Sequence, residues 1–384
     1  MKLVILSCNT GEGHNSTARA IAQYAEAQGD TVEILDALTF WPAGTNRFLC
    51  EGQVFLYKNA PELFGAGYRF FEMVSEKTNE KREAGKKAGE SLSRLVKRPS
   101  EKLYEELLSH RADAVISVHV FASLMLTEIR RAHGRTFPVF FVATDYTCSP
   151  GVALSDFDIC FIPSEGVTEE FVSLGVAPET VKATGIPIRE AFYTDVEKQE
   201  AKRQLDLPLD KRAVLMMSGS MGCGPIVETA EAILKVLPED AVLVTVCGRN
   251  EKLYAELIAL PEMGERLFPV GFSREIPLYM DAAELIITKA GGLSSTEAAN
   301  KHLPMLFIDA IPGLESHNRD FFSDRGFALY AENPQEIALK VRYLLSDARR
   351  LGDMRRGLGE CFTHHAAKEI HETVAAVAAR KETT

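Results

Sequence analysis

Residues 3–21 read LVILSCNTGEGHNSTARAI, an apolar run that ends in a glycine-rich turn and leads into a helical pattern. Residues 213–225 read AVLMMSGSMGCGP and repeat the apolar run and the turn in the second half of the chain. Glycine lets the backbone pass close to a ligand, and a helix that starts after such a turn directs its N–H groups at a bound anion. The two stretches therefore predict two domains of the nucleotide-binding type that face a cleft.

The composition indicates a globular protein of two domains. At 384 residues the chain exceeds what one hydrophobic core usually supports, and it is 46% hydrophobic and 25% charged. Its seven cysteines show no close pairs and indicate core residues in a reducing cytoplasm. The apolar run after Lys2 ends by Cys8, and no stretch approaches the ~18 apolar residues of a membrane span. We expect a cytoplasmic protein that, if it acts at a membrane, lies on the membrane surface.

The net charge of −11 disfavours nucleic acid as the main partner, but the charge is unevenly distributed. Residues 77–102 carry nine Lys and Arg against four Glu, a local net charge of +5. An aromatic-rich stretch precedes them and includes Phe55, Phe64, Phe70 and Phe71. This combination favours adsorption to an anionic membrane, and the alternative is a core-facing helix followed by a solvated charged helix.

Strand-like runs alternate with helical patterns along the chain, which is typical of α/β domains with parallel sheets. The runs are residues 2–8, 31–36, 113–118, 137–143 and 158–162, then 213–218, 241–247, 267–272, 284–289, 304–308 and 327–331. We expect an N-terminal domain over 1–190 with a helical insertion at 45–110, and a second domain over 195–362. A linker is predicted within 185–197, and a terminal helix over 363–384 is predicted to pack back on the first domain.

His14 lies in the first turn of the helix that follows the first glycine turn. The positive end of a helix disfavours the imidazolium, so a neutral histidine here can take a proton from an incoming hydroxyl. A histidine that only caps the helix is the alternative. Asp145 ends another strand-like run and is a partner of His14, a rival base, or a cap of its strand.

The first turn also admits a dinucleotide-binding interpretation, with Asp36 in the place of a ribose-binding acid. The turn lacks the third glycine of that fingerprint, so a dehydrogenase is the weaker alternative.

Two patterns have metal-ligand character without a complete set of ligands. Asp156 and Asp158 precede a strand and are expected to cap a turn. His364, His365 and His371 lie in the terminal helical region and are interpreted as surface or packing residues. We expect no metal site.

Residues 288–299 read TKAGGLSSTEAA, and residues 304–318 read PMLFIDAIPGLESHN. A glycine pair followed by three hydroxyls at a helix start presents N–H and O–H donors to a diphosphate. Glu297 is placed to accept from ribose hydroxyls, and Glu315 with Asn318 suits the hydroxyls of a sugar. Each feature alone is ordinary capping chemistry, but together they predict a nucleotide-sugar site.

Five spans of the chain resemble the group of monogalactosyldiacylglycerol synthases and processive diacylglycerol glucosyltransferases, relatives of the peptidoglycan N-acetylglucosaminyl transferase. These spans are residues 8–21, 143–150, 183–188, 247–250 and 286–318. The chain departs from that group at His119-Val120 and at Ser149-Pro150-Gly151, where members often have His-Pro sequences.

The resemblance implies a GT-B fold, with an N-terminal domain for a lipid acceptor and a C-terminal domain for a UDP-sugar. It also implies inversion at the anomeric carbon without a required metal, with His14 as the residue that activates the acceptor. Phe272 would meet the uracil through backbone groups, and Arg249 would stabilise the departing diphosphate. The predicted donor-binding residues are Gly222, Arg249, Phe272, Gly291, Gly292, Ser294, Ser295, Glu297, Glu315 and Asn318.

The expected function is that of an inverting transferase that needs no cofactor or metal. It would move a hexose from UDP-glucose or UDP-galactose to diacylglycerol, or to a glycosyl-diacylglycerol, at an anionic membrane surface. A UDP-sugar epimerase of the same fold, an NAD-dependent dehydrogenase and an inactive nucleotide-sugar sensor are the alternatives. The aromatic and basic insertion favours the transferase.

Overall fold

The computed structural model describes residues 1–9, 12–41, 96–217, 225–308 and 314–381. The aromatic stretch, most of the basic segment and Gly222 lie outside these residues, and so does most of the predicted insertion. The described chain forms two compact units. One contains Met1–Arg189 and His364–Thr384, and the other contains Glu190–Ala310 and Glu315–Thr363. The boundary after Arg189 lies within the stretch proposed as a linker.

The N-terminal unit is built on a six-stranded parallel sheet in the order β2-β1-β3-β4-β5-β6. Most of its strands are buried along their length, as expected for a parallel sheet covered on both faces. Its strands are β1 (Lys2–Ser7), β2 (Thr31–Asp36), β3 (Ala114–Ser117), β4 (Val139–Val142), β5 (Ile159–Ile162) and β6 (Val181–Ala183). Its helices are α1 (Glu12–Ala27), α2 (residues 96–110), α3 (Val120–His133) and α4 (Thr168–Ser173).

The second unit has its own six-stranded parallel sheet, in the order β12-β11-β10-β7-β8-β9. Its strands are β7 (Arg212–Met217), β8 (Ala241–Val246), β9 (Leu267–Val270), β10 (Ala283–Thr288), β11 (Met305–Ile308) and β12 (Ala328–Ala331). Its helices are α5 (Lys198–Gln204), α6 (Ile226–Val236), α7 (Glu251–Ile258), α8 (Ile276–Ala282), α9 (Gly292–Asn300), α10 (Leu314–Asp324), α11 (Pro334–Ser346) and α12 (Ala348–Cys361).

The last helix, α13 (Ala366–Lys381), belongs to the N-terminal unit. Ile370 and Val374 are buried in the same apolar cluster as Ile21 of α1. His371 Nε2 lies 2.6 Å from an Asp30 carboxylate oxygen, so this histidine is a packing residue. The predicted fold class, two parallel-sheet α/β domains with a returning C-terminal helix, is confirmed.

The structure differs from the sequence patterns at two places in the N-terminal unit. The short edge strand β6 was not predicted, because its three residues show no strong apolar pattern. Asp156 and Asp158 form ion pairs with Arg130, whose side chain is almost fully buried, and with Arg135. They hold two arginines together, and this network explains the acidic pair better than a turn cap does.

Each sheet has one place where the chain reverses the direction in which it adds strands. In the N-terminal unit this switch point lies between β1 and β3, and in the second unit it lies between β7 and β10. The loops that leave the carboxyl ends of such neighbouring strands diverge and leave a crevice, which is where ligands bind in open α/β sheets. The two switch points locate the candidate functional residues.

Candidate active site

The first switch point brings two histidines together. His14 lies on the first turn of α1, and His119 is the N-cap of α3, where its Nδ1 accepts a hydrogen bond from the Phe121 N–H at 3.1 Å. The two imidazole rings meet edge to face, with centroids 4.6 Å apart. The loop after β1 and the loop after β3 therefore supply one side chain each to the same place.

His14 is held through its Nδ1 atom, which lies 2.8 Å from the carbonyl oxygen of Val118. A carbonyl only accepts, so Nδ1 carries the proton and donates it to this bond. In the neutral ring the lone pair is then on Nε2. The backbone of the β3–α3 connection thus selects the tautomer in which Nε2 can accept a proton.

The electrostatics keep both imidazoles neutral near pH 7. Burial lowers the pKa of His14, although the negative charge of Asp145 and the bond to Val118 partly oppose this. Burial also places the pKa of His119 well below its usual range, and a charge on His14 would lower it further. A neutral His14 is the form that a general base requires.

Asp145 follows β4, the neighbour of β3, and lies near enough to His14 for its negative charge to raise the pKa of that histidine. Thr144 stands between them: its Oγ1 lies 3.2 Å from His14 Nδ1 and 3.5 Å from Asp145 Oδ2. Glu170 of α4 fixes the same loop, because it accepts from the Cys148 N–H at 2.9 Å and from the Thr147 hydroxyl. The structure therefore gathers the predicted residues His14 and Asp145 and adds Thr144 and Glu170.

Asp36, the residue on which the dinucleotide-binding interpretation rested, ends β2. Its carboxylate accepts from the Leu38 N–H at 2.9 Å and caps a short 3₁₀ helix, Ala37–Phe40. It also accepts from the Asn9 N–H at 3.4 Å, which ties it to the loop after β1. These bonds give Asp36 a structural role.

The second switch point carries the start of α9. Gly291 is its N-cap, in an extended conformation, and a Cβ built there would lie 3.2 Å from Ser294 Oγ. The first N–H groups of a helix have no partner within it and attract anions, so this end suits a phosphate. Gly222, predicted to take part from the loop after β7, lies outside the described residues.

The three hydroxyls of α9 differ in their surroundings. Ser294 Oγ is half-buried and donates to the Gly291 carbonyl at 3.3 Å. Thr296 Oγ1 donates to the Gly292 carbonyl at 2.8 Å within the helix. Ser295 Oγ is buried with no hydrogen-bond partner among the described residues. Ser294 is thus the hydroxyl that is best placed for a ligand at the helix start.

The residues predicted to bind the ribose and the sugar, Glu297, Glu315 and Asn318, differ in how deeply they are buried. Glu297 is buried on the second turn of α9, and Glu315 is half-buried on the first turn of α10. Asn318 is fully buried, and its Nδ2 donates to the Ala290 carbonyl at 3.0 Å. Asn318 therefore ties α10 to the loop before α9.

Arg249 and Phe272 follow the adjacent strands β8 and β9. The guanidinium of Arg249 lies over the Phe272 ring at 5.2 Å from its centroid. Phe272 is 60% exposed, so its ring is accessible at the surface beside Arg249. The sequence predicted both residues, and the structure brings them into contact.

Among the described residues, no group of three or more His, Cys, Asp or Glu side chains is arranged to hold a metal ion. Within the same residues, no helix is both long enough and apolar enough to cross a bilayer.

Two family models match the chain. The model described as monogalactosyldiacylglycerol (MGDG) synthase matches residues 14–188, and the model of the glycosyltransferase family 28 C-terminal domain matches residues 213–371. The chain belongs to this glycosyltransferase family. The first match starts at His14, and the second contains β7 to α12 and the beginning of α13.

Curated relatives resemble this glycosyltransferase over nearly its whole length. Those named processive diacylglycerol β-glucosyltransferase from Bacillus pumilus and Bacillus licheniformis are 28% and 29% identical over 375 and 377 residues. The alignments cover 97% and 96% of this chain and 94% and 93% of the relatives.

Solved structures show the same GT-B fold. MurG from Acinetobacter baumannii matches with a TM-score of 0.65 at 16% identity, over 98% of this chain and 99% of its own. A putative UDP-N-acetylglucosamine 2-epimerase from Listeria monocytogenes matches with a TM-score of 0.64 at 14% identity, over 100% and 97%. The spinosyn rhamnosyltransferase SpnG also matches, with a TM-score of 0.62 at 12% identity over 97% of this chain and 100% of its own. Structures named as a rhamnosyltransferase and as an epimerase thus share this fold, so the fold alone does not select the reaction of this glycosyltransferase.

Sequence reasoning missed Val118, Thr144 and Glu170. Val118 acts through its backbone carbonyl, so its side chain carries no signal. Thr144 precedes Asp145 in the chain and carries no signal of its own, and Glu170 lies 25 residues beyond Asp145, in α4. Only the parallel packing of β3, β4 and β5 brings these three near His14 or the Asp145 loop in this glycosyltransferase.

Proposed function

We propose that this glycosyltransferase moves glucose, with inversion, from UDP-glucose to the hydroxyl of diacylglycerol or of a glycosyl-diacylglycerol. The observation that carries the proposal is the neutral His14, whose Nδ1 is bonded to the Val118 carbonyl and whose Nε2 is thereby a proton acceptor. The curated relatives that match nearly the full chain are named β-glucosyltransferases, which favours glucose over galactose.

We assign activation of the acceptor to the N-terminal unit. His14 Nε2 takes the hydroxyl proton as the acceptor oxygen attacks the anomeric carbon from the face opposite to UDP. The new C–O bond forms while the bond to the β-phosphate oxygen breaks, and UDP leaves with that electron pair. A sugar that is α-linked in the donor becomes β-linked in the product, in agreement with the relatives' name.

We assign donor binding to the second unit. The start of α9, with Gly291, Gly292 and Ser294, suits the diphosphate, and Glu297 suits the ribose hydroxyls. Glu315 is proposed to bind the sugar, while Asn318 acts from its buried position by holding α10. Arg249 and Phe272 are proposed to hold the β-phosphate and the uracil. In this proposal the start of α9 and Arg249 stabilise the negative charge of the departing UDP, so no metal is needed.

We also propose that the reaction takes place at the inner membrane surface. An acyl chain gains about 0.8 kcal/mol for every CH₂ that stays buried, so a diacylglycerol is reached most cheaply within its bilayer. The basic segment supports this step, and two of its cations, Lys97 and Arg98, are exposed at the start of the described part of α2.

Release of UDP is the direct test of this function. The protein is mixed with UDP-glucose, UDP-galactose, UDP-N-acetylglucosamine or NAD, with and without vesicles that contain diacylglycerol. We expect UDP release that requires both UDP-glucose and diacylglycerol, a β-linked product, and no loss of activity with EDTA. Turnover of a UDP-sugar without an acceptor would favour an epimerase, and a preference for UDP-galactose would overturn the choice of sugar.

A further inference from the structure

Thr144 occupies a position between the two ionisable groups of the first switch point. Its Oγ1 lies 3.2 Å from His14 Nδ1 on one side and 3.5 Å from Asp145 Oδ2 on the other. The polarity of these contacts follows from the Val118 carbonyl, which requires a proton on His14 Nδ1. A protonated Nδ1 cannot accept, so towards His14 the Thr144 oxygen can only accept, as the weaker second acceptor of an N–H whose main partner is the Val118 carbonyl. The hydrogen of the Thr144 hydroxyl is left to donate to Asp145.

We propose that Thr144 is a positioning residue that couples the Asp145 carboxylate to His14, and that Asp145 acts through it and does not itself take the proton of the acceptor. This inference rests on the proposed function, in which His14 is the base. It assigns an order to three residues: Asp145 accepts from Thr144, Thr144 accepts from His14 Nδ1, and His14 Nε2 faces the reaction.

We call this order of hydrogen bonds from His14 through Thr144 to Asp145 the relay. Its effect on the reaction is expected to be largest when His14 becomes charged. Burial disfavours the imidazolium that forms as the proton is taken, and the negative charge of Asp145 opposes this effect. A stabilisation that appears only with that charge lowers the barrier without strengthening ground-state binding. Hydrogen bonds of catalytic groups commonly tighten when the reactants are bound, and we expect the 3.5 Å contact to shorten in that state.

The other charged groups around His14 do not replace Asp145. His119, from the start of α3, has a pKa well below its usual range because of burial, and therefore stays neutral. On α1 itself, Glu12 is exposed and pairs with Arg19 at 3.0 Å. Glu170 is directed at the loop that carries Asp145, through Thr147 and the Cys148 N–H. Among the described residues, Asp145 is therefore the carboxylate whose charge raises the pKa of His14.

The experiment compares Thr144→Val, Thr144→Ser, Asp145→Asn and the double variant Thr144→Val with Asp145→Asn. The first readout is an NMR titration of the His14 ring, assigned by the loss of its signal in His14→Gln. Removal of either relay member is expected to lower the pKa of His14 further, whereas Thr144→Ser is expected to keep the native value. The second readout is the pH profile of kcat, where Thr144→Val is expected to reduce the plateau roughly tenfold.

The double variant tests the order of the relay. If Asp145 acts through Thr144, the double variant is expected to lose no more activity than Asp145→Asn alone, and its His14 pKa is expected to equal that of the single variant. Thr127→Val is the matched control, because Thr127 is a partly buried threonine of α3 whose hydroxyl donates to the Ser123 carbonyl and accepts from the Asp156 N–H. It is expected to change stability but not the His14 titration.

Two results would overturn the relay. One is an unchanged His14 pKa and plateau in Thr144→Val when the protein is folded. The other is a complete loss of turnover in Asp145→Asn while His14→Ala remains active, which would make Asp145 the base. The NMR titration does not depend on turnover, so a protein that transfers no hexose but shows the expected His14 shifts would overturn the proposed function and leave the coupling of the three side chains standing.

Discussion

The two switch points have the same architecture but opposite chemistry. At the first, the starts of α1 and α3 carry two imidazoles, with Asp145 beside them. At the second, the start of α9 carries glycines and hydroxyls, and the side chain that holds it, Asn318, is uncharged. A parallel sheet supplies the same crevice in both units, and the residues placed there decide whether it moves a proton or binds an anion.

Burial has different consequences at the two switch points. At His14, burial favours the neutral imidazole, and the negative charge of Asp145 partly opposes this effect. At α9, burial hides Ser295 and Asn318 and leaves Ser294 and the helix end for a ligand. Substitutions at the two switch points should therefore separate turnover from donor binding.

The largest effect is expected from His14→Ala, which removes the proposed general base. We expect kcat to fall by roughly 10²–10⁴-fold, because that is the usual contribution of such a group. The affinity for UDP, measured by calorimetry, should stay within about twofold of the native value. A variant that kept its turnover but lost UDP binding would reverse the assignment of the two units.

A large effect is also expected from charge reversal at Lys86, Lys87, Lys97 and Arg98. Each cation near an anionic surface contributes about 1 kcal/mol, so four of them contribute roughly a thousandfold in membrane partitioning. Sedimentation with phosphatidylglycerol vesicles should be lost, and high salt should weaken it in the native protein. UDP binding should be unchanged, and equal sedimentation with neutral vesicles at all salt concentrations would exclude this role.

An intermediate effect is expected from Glu297→Ala in the second unit. Loss of a charged hydrogen-bond acceptor for the ribose should raise the Kd of UDP roughly ten- to a hundredfold. Glu315→Ala, on α10, is the control and should mainly change the discrimination among UDP-sugars. Because Glu297 is buried, thermal unfolding must show that the variant is folded. The pKa of His14 should be the same in the native protein, Glu297→Ala and Glu315→Ala. A shifted pKa would contradict the separation of acceptor activation from donor binding.

The smallest effect concerns pH. His14 must be unprotonated to act, and burial lowers its pKa below the usual 6.5. The rate should therefore stay level as the pH falls to about 7 and fall only below the pKa of His14. At pH 6.5 kcat should remain above half of its plateau. An acidic limb with a midpoint above 6.5 would show that the charge of Asp145 outweighs burial.

Local patterns were sufficient for the elements that carry their own signal. The apolar runs predicted eleven of the twelve strands, and the glycine turns placed His14 and Gly291 at helix starts. Strand β6 was not predicted because it is a short, partly exposed edge strand. The roles of His14 and of the donor residues remain predictions, which the experiments above address.

The sequence by itself determined the α/β class, the position of each glycine turn and the presence of an imidazole at the first one, because strand and helix periodicity and turn chemistry are properties of neighbouring residues. Only the tertiary structure decided which tautomer His14 adopts, that Thr144 stands between His14 and Asp145, and that Asn318 is turned inwards to Ala290. These contacts join residues 104, 130 and 28 positions apart. Such distant pairs meet through the strand order of each sheet, which no local pattern encodes.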